Sequence, residues 1–169
     1  MSEADTGSSA STSATESTAK ARILSQKWGP ETMAANYAVI PSALLRGQAR
    51  LGIGPTDLAV LIHLIDYWWQ PGQMPWPKKK TLAARLGVGE KTVQRAVVRL
   101  EQAGLLRRNS RFNENGGRTS NEYDLQPLVE RLQVIAKDIA QAEMEAREVR
   151  ARATRPGLKS RVRTKVQAS

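Results

Sequence analysis

The segment 90–100, EKTVQRAVVRL, carries Lys91, Gln94 and Arg95 at a spacing that brings them to one side of a helix turning about 100° per residue. Lysine and arginine match the acceptors of guanine in the major groove of DNA, and a glutamine amide pairs with adenine. Thr92 and Arg99 fall on the flank of that face, where a hydroxyl and a guanidinium suit phosphate oxygens. Lys79 and Lys80 open the preceding helical segment, where their charge combines with free backbone N–H groups in a natural phosphate site. Each of these side chains, taken singly, has the alternative reading of a solvated surface charge.

Other chemistry has little support. The chain has no cysteine and one histidine, which excludes disulfides and Cys/His zinc arrangements. His63, among Leu61, Ile62 and Leu64, reads as a core or partly buried residue. The string GVGEKT, 87–92, fails as a phosphate-binding loop, which needs Gly-Lys directly before Thr and would not set Glu90 among phosphates. No nucleophile–base pairing stands out. No catalytic residue, metal ligand or cofactor is assigned, and the chain is expected not to be an enzyme.

The break Gly87-Val88-Gly89 is what positions the basic face. Beyond it, Val93, Ala96, Val97 and Leu100 share the side opposite the basic residues, and Leu82, Ala83 and Leu86 supply packing partners from the helix before. Ala83 is small enough for close approach, Gly87 provides the left-handed residue of a tight turn, and Val88 plugs the angle between the helices. Upstream, Leu58, Leu61, Ile62, Ile65 and Trp69 recur at helical spacing, with Thr56 as N-cap and Pro71-Gly72 as stop. That register makes Trp68, Trp69 and Trp76 core residues before a stacking platform. Residues 37–40 read as a short strand, and Pro41 begins a brief helix to Arg46. Downstream, 105–112 and 120–125 read as strands joined by a tight turn at Asn115-Gly116, with Leu106, Tyr123 and Leu125 pointing inward.

Leu82, Ala83, Leu86, Gly87, Val88, Val93 and Ala96 stand at the spacing of helix-turn-helix domains. The longer stretch WPKKKTLAARLGVGEKTVQRAVVRLEQAGLLRR, continued by GGRTSNEYDL, resembles the winged helix-turn-helix domains of bacterial, plasmid and phage regulators and replication proteins. The resemblance covers residues 37–126, with Gly89 where that family commonly has a Ser or Asp cap and Lys78 where Ser is usual after Trp-Pro. It implies a mainly α fold with a small β-hairpin wing. In that wing Arg107, Arg108, Arg111 and Arg118 would reach backbone or minor groove, with Asn113, Asn115 and Thr119 as further donors. Between Pro77 and Ser120 eleven Lys and Arg oppose only Glu90, Glu101 and Glu114, which favours DNA over a protein partner.

Residues 1–26, rich in Ser, Thr and Ala and without aromatics, read as a disordered tail, and 27–126 as the DNA-binding domain. Residues 127–152 read as a long helix and 153–169, without an acidic residue, as a basic flexible tail. In the helix Leu128, Leu132, Ile135, Ile139, Ala142, Ala146 and Val149 alternate spacings of four and three, a heptad seam. A homodimer through Leu128, Leu132, Ile135, Ile139 and Val149 is expected, the other reading being an amphipathic helix covering its own domain. The net charge of +10 points to a polyanionic partner. No apolar run approaches the roughly 18 residues of a membrane span. The expected protein is cytoplasmic, associated with nucleoid or plasmid: a sequence-specific double-stranded DNA-binding regulator of transcription on a bacterial mobile element. The alternatives are a plasmid or phage replication initiator, and a winged-helix interaction module that binds nucleic acid loosely. The residues name no operator and no small-molecule ligand.

Overall fold

A computed structural model describes residues 8–70, 72–112, 116–117 and 119–154, with side chains from residue 18 onward. The chain divides into two units, Met1–Val39 and Ile40–Ser169.

In the first unit, residues expected as part of a disordered tail form helix α1 (Ser8–Trp28). Its sequence contains no glycine or proline, and its alanines and long side chains all favour helix. Residues 18–23 are exposed, so this helix reflects propensity rather than burial. Gly29, at φ 85°, ends it, and Pro30 begins the short α2 (Pro30–Ala34). The strand expected at 37–40 does not form.

The second unit begins with two short helices, α3 (Ser42–Arg46) and α4 (Gln48–Leu51). Helix α5 (Pro55–Asp66) is capped at Gly54, two residues before the expected cap Thr56, and the Gly54 N–H donates to the Asp57 carboxylate at 3.2 Å. It ends at Asp66, five residues short of Pro71, because Tyr67 and Trp68 close the last turn onto Leu64 and Ile65. Trp69 therefore lies beyond the helix and is 64% exposed, and Trp76 is 49% exposed. Both were expected in the core. A helical register cannot carry inward-facing positions past the end of the helix that creates it.

Helices α6 (Lys79–Leu86) and α7 (Glu90–Gln102) follow. Gly87 is left-handed (φ 64°), and the N–H groups of Gly87 and Val88 bond back to Ala84 and Ala83. This pattern closes a helix in the least chain, at a backbone conformation costly for other residues. Leu82, Ala83, Val93, Ala96, Val97 and Leu100 are all buried as the apolar pattern requires. Val88, expected as a plug, is 36% exposed and covers only the rim. The same closure recurs after α7, where Gly104 and Leu105 bond back to Glu101 and Leu100.

Strands β1 (Arg107–Asn109) and β2 (Glu122–Asp124) pair antiparallel, with Arg108 opposite Tyr123. They are shorter than expected. The tight turn assigned to Asn115-Gly116 lies largely outside the described residues, as do Asn113, Asn115 and Arg118 themselves. Tyr123, fully buried, also donates its N–H to the Pro75 carbonyl, which ties the hairpin to the segment before α6.

Helix α8 (Gln126–Ala153) closes the domain. Leu128, Leu132 and Ile135 are buried in the domain's own core, and Ile139 packs partly against it. Ile135 sits so close to Gly47, between α3 and α4, that a Cβ there would come within 3.0 Å of it. Arg46–Glu143 (2.7 Å) and Arg50–Asp138 (2.6 Å) pin the same helix further along. The first half of the expected dimer seam is thus packed against the chain's own core. The four-three pattern identifies an apolar stripe, but α3 and α4, unremarkable in sequence, supply the covering surface that a second copy was expected to provide. Val149 is 64% exposed.

Candidate nucleic-acid interface

Residues from three elements converge on one open cleft of about 590 Å³. Lys78, Lys79 and Lys80 enter from the start of α6, Glu90 and Gln94 from α7, and Thr119, Ser120 and Asn121 from the approach to β2. Helix α6 has no capping side chain at Lys78, so its first-turn residues bring unsatisfied backbone N–H groups to the lysine-rich wall. Uncapped N–H groups and ammonium charges together favour phosphate. Lys79 and Lys80, expected as a phosphate site, and Thr119, expected as a wing donor, line this cleft. Lys78, Ser120 and Asn121 were missed as ligand residues, although the Lys-Lys-Lys run contained the first in plain view.

Lys91 and Arg95 project from the exposed face of α7, with Thr92 half-buried beside them. Neither cation has an ion-pair or hydrogen-bond partner among the described residues. The Lys79 ammonium donates to the Gln94 amide oxygen. That contact turns Gln94 toward the cleft and leaves its NH2 group as the available donor. Helix α7 begins at Gly89 without a side-chain cap.

Arg99, Arg107, Arg108 and Arg111 separate from the lysines and from Arg95. Arg99, expected on phosphate, is clamped instead by Asp57: its Nε lies 3.0 and 3.1 Å from the two carboxylate oxygens and its Nη2 2.6 Å from one. Asp57 is only 4% exposed. Its hydrogen bonds to Arg99 raise the arginine's pKa above its ordinary value, and a fork-to-fork pair of this kind fixes geometry as well as charge. The clamp holds α7 against the start of α5, so Arg99 positions α7 and its charge is already answered. The partner lies too far away in sequence to carry a local signal.

Among the described wing residues, Arg107, Arg108 and Arg111 are likewise engaged. Arg108 donates through its guanidinium and its backbone N–H to Glu101, whose carboxyl it holds below the ordinary carboxylate range. Arg111 pairs with Glu122 at 3.0 Å and lies over the Trp76 ring, 4.9 Å from its centroid. Arg107 sits 3.7 Å from Asp124, its cross-strand neighbour. A charge count along the sequence treats these arginines as available to DNA; the cross-strand and helix-to-strand carboxylates, visible only once the hairpin is paired, neutralise them. Burial pushes the Tyr123 phenol up, in keeping with a packing role. No group of acidic, histidine or cysteine side chains suited to a metal ion occurs among the described residues, and no helix there is long and apolar enough to cross a membrane.

Residues 51–106 match the family model of a helix-turn-helix domain. Over 70 residues, 41% of its length, the chain is 34% identical to Protein YmfN of Escherichia coli, and it spans 15% of that protein. Among solved structures it is similar to the N-terminal domain of the DnaD protein from Geobacillus kaustophilus (27% identity over 68% of this chain and 93% of that one, TM-score 0.49). It is also similar to a possible transcriptional regulator from Methanosarcina mazei (20% identity, 64% of this chain and 85% of that one, TM-score 0.41). A MarR-family transcription regulator aligns over 91% of this chain and 89% of its own, at 22% identity and a TM-score of 0.39. The segment 51–106 thus matches a helix-turn-helix domain, and its glycine-closed helix pair is followed by an antiparallel hairpin at 107–124.

Proposed function

We propose that this protein is a sequence-specific regulator of transcription that reads duplex DNA with α7 and holds the flanking backbone in the lysine-rich cleft. The observation that carries the reading is the split between cations: Lys78, Lys80, Lys91 and Arg95 have no partner among the described residues, whereas Arg99, Arg107, Arg108 and Arg111 are neutralised by carboxylates. Lys91 and Arg95 face the bases, Thr92 supports them, and Lys78, Lys79, Lys80 and Thr119 take phosphate. A place on a bacterial mobile element rests on the resemblance of the 37–126 stretch to regulators of such elements. The homodimer enters this proposal in altered form. With Leu128, Leu132 and Ile135 in the domain's own core, the part of α8 beyond Ile139, bearing Met144 and Val149, is what is left to meet a second copy.

Enrichment of duplexes from a random pool tests the proposal. A regulator selects one recurrent motif, which also occurs and is protected from cleavage in the DNA upstream of its own gene. Enrichment of no motif, with random duplexes bound as well as the selected pool, would refute it.

A further inference from the structure

A second concavity of about 540 Å³ lies beside the phosphate cleft, and it is walled by Tyr67, Trp69, Met74 and Trp76. Its size falls in the range of pockets that enclose small molecules. Two indoles exposed on the connection between α5 and α6 are costly unless something covers them. The walls offer flat aromatic faces, and no acidic residue lines them. Arg85 and Arg111 lie over the Tyr67 and Trp76 rings, but their guanidinium groups are already paired with Asp66 and Glu122. The charge left to a ligand is the Lys78 ammonium, which borders this pocket and the phosphate cleft alike.

We propose that the pocket binds a planar aromatic molecule carrying one anionic group, its ring against the Trp69 and Trp76 indoles and its anion on Lys78. Because Lys78 also lines the phosphate cleft, ligand and DNA compete for one charge, and the ligand weakens DNA binding. This second part rests on the DNA-binding reading; the pocket itself does not.

Calorimetric titration of the full chain with 2-naphthoate, and with 2-naphthylmethanol as its neutral counterpart, tests both parts. The carboxylate binds saturably below about 1 mM and about tenfold more tightly than the alcohol. Lys78→Ala removes the preference for the carboxylate, and Trp69→Ala weakens both compounds about tenfold. Trp69 is exposed enough for its variant to keep the fold, which an unchanged circular dichroism spectrum verifies. Saturating 2-naphthoate lowers duplex affinity about fivefold, and the alcohol leaves it unchanged. Equal binding of acid and alcohol, or binding indifferent to both substitutions, would overturn the site. Unchanged duplex affinity at saturation would overturn the competition. A chain that binds no duplex even without 2-naphthoate refutes the DNA reading and the competition, while the pocket is still decided by the calorimetry.

Discussion

The division of cations into engaged and available sets a number on how binding responds to salt. Lys78, Lys80, Lys91 and Arg95 are unpaired among the described residues, and Lys79 bonds to a neutral amide and keeps its charge. With Lys91 and Arg95 on bases, the three groups on phosphate, Lys78, Lys79 and Lys80, give a slope of log affinity against log salt of about −2.7, or a loss of about 40-fold between 50 and 200 mM. Adding Arg99, Arg107, Arg108 and Arg111, as a charge count along the sequence would, gives about −6.3 and a loss of about 6,000-fold. Fluorescence anisotropy of a labelled duplex across a potassium chloride series measures the slope for each variant, so that contributions from residues 155–169 cancel in the comparison. Lys80→Ala should reduce the slope by about 0.9. Arg99→Ala and Arg108→Ala should leave it unchanged, and Arg99→Ala should instead lower the melting temperature, because the buried Asp57 carboxylate loses its partner. If Arg99→Ala or Arg108→Ala reduced the slope as much as Lys80→Ala, the split between structural arginines and DNA-facing lysines would be wrong.

Ile135→Ala should destabilise the domain by about 2–4 kcal/mol in urea melts at any protein concentration, because it empties a site in the domain's own core, whereas the exposed Val149→Ala stays within about 0.5 kcal/mol. An effect of Ile135→Ala confined to dilute protein would restore the intermolecular seam. The Glu101–Arg108 pair should make the hairpin sensitive to acid: a carboxyl with a lowered folded-state pKa stabilises above the ordinary carboxylate range, and that contribution is lost as pH falls through the folded value. Amide protection at Arg108 should therefore hold through neutral pH and fall in strong acid, and Glu101→Gln should abolish that dependence; a loss between pH 5 and 8 would point to another group.

The helix pair was legible because its signals are local. An apolar spacing of three and four, a small residue at the crossing and a left-handed glycine all lie within the segment 82–100, and of the residues assigned to that core Leu82, Ala83, Val93, Ala96, Val97 and Leu100 are buried, Leu86 is partly buried and Val88 is exposed. The hairpin and the long helix were legible for the same reason, from turn residues and periodicity. The partners were not. Asp57 meets Arg99, Glu101 meets Arg108 and Gly47 meets Ile135 through tertiary packing, and nothing in the local pattern around either residue announces the other. This is why Lys79 and Lys80, expected on phosphate, and Thr119, expected as a wing donor, line one cleft while Arg99, also expected on phosphate, pairs with Asp57. It is also why two tryptophans placed inside by an overextended helical register line a surface pocket instead. Helix α1 shows the opposite limit, a composition too polar to bury and yet free of any residue that breaks a helix.

If base preference resides in α7, Arg95→Ala removes part of it. The variant and the wild type are titrated against the enriched duplex and against a random duplex of equal length at one salt concentration. Loss of a base contact predicts about 1–3 kcal/mol weaker binding to the enriched site, roughly 5- to 150-fold, with relaxed preference at one base pair and a much smaller change on random DNA. Equal losses on both duplexes, or none on either, would contradict it.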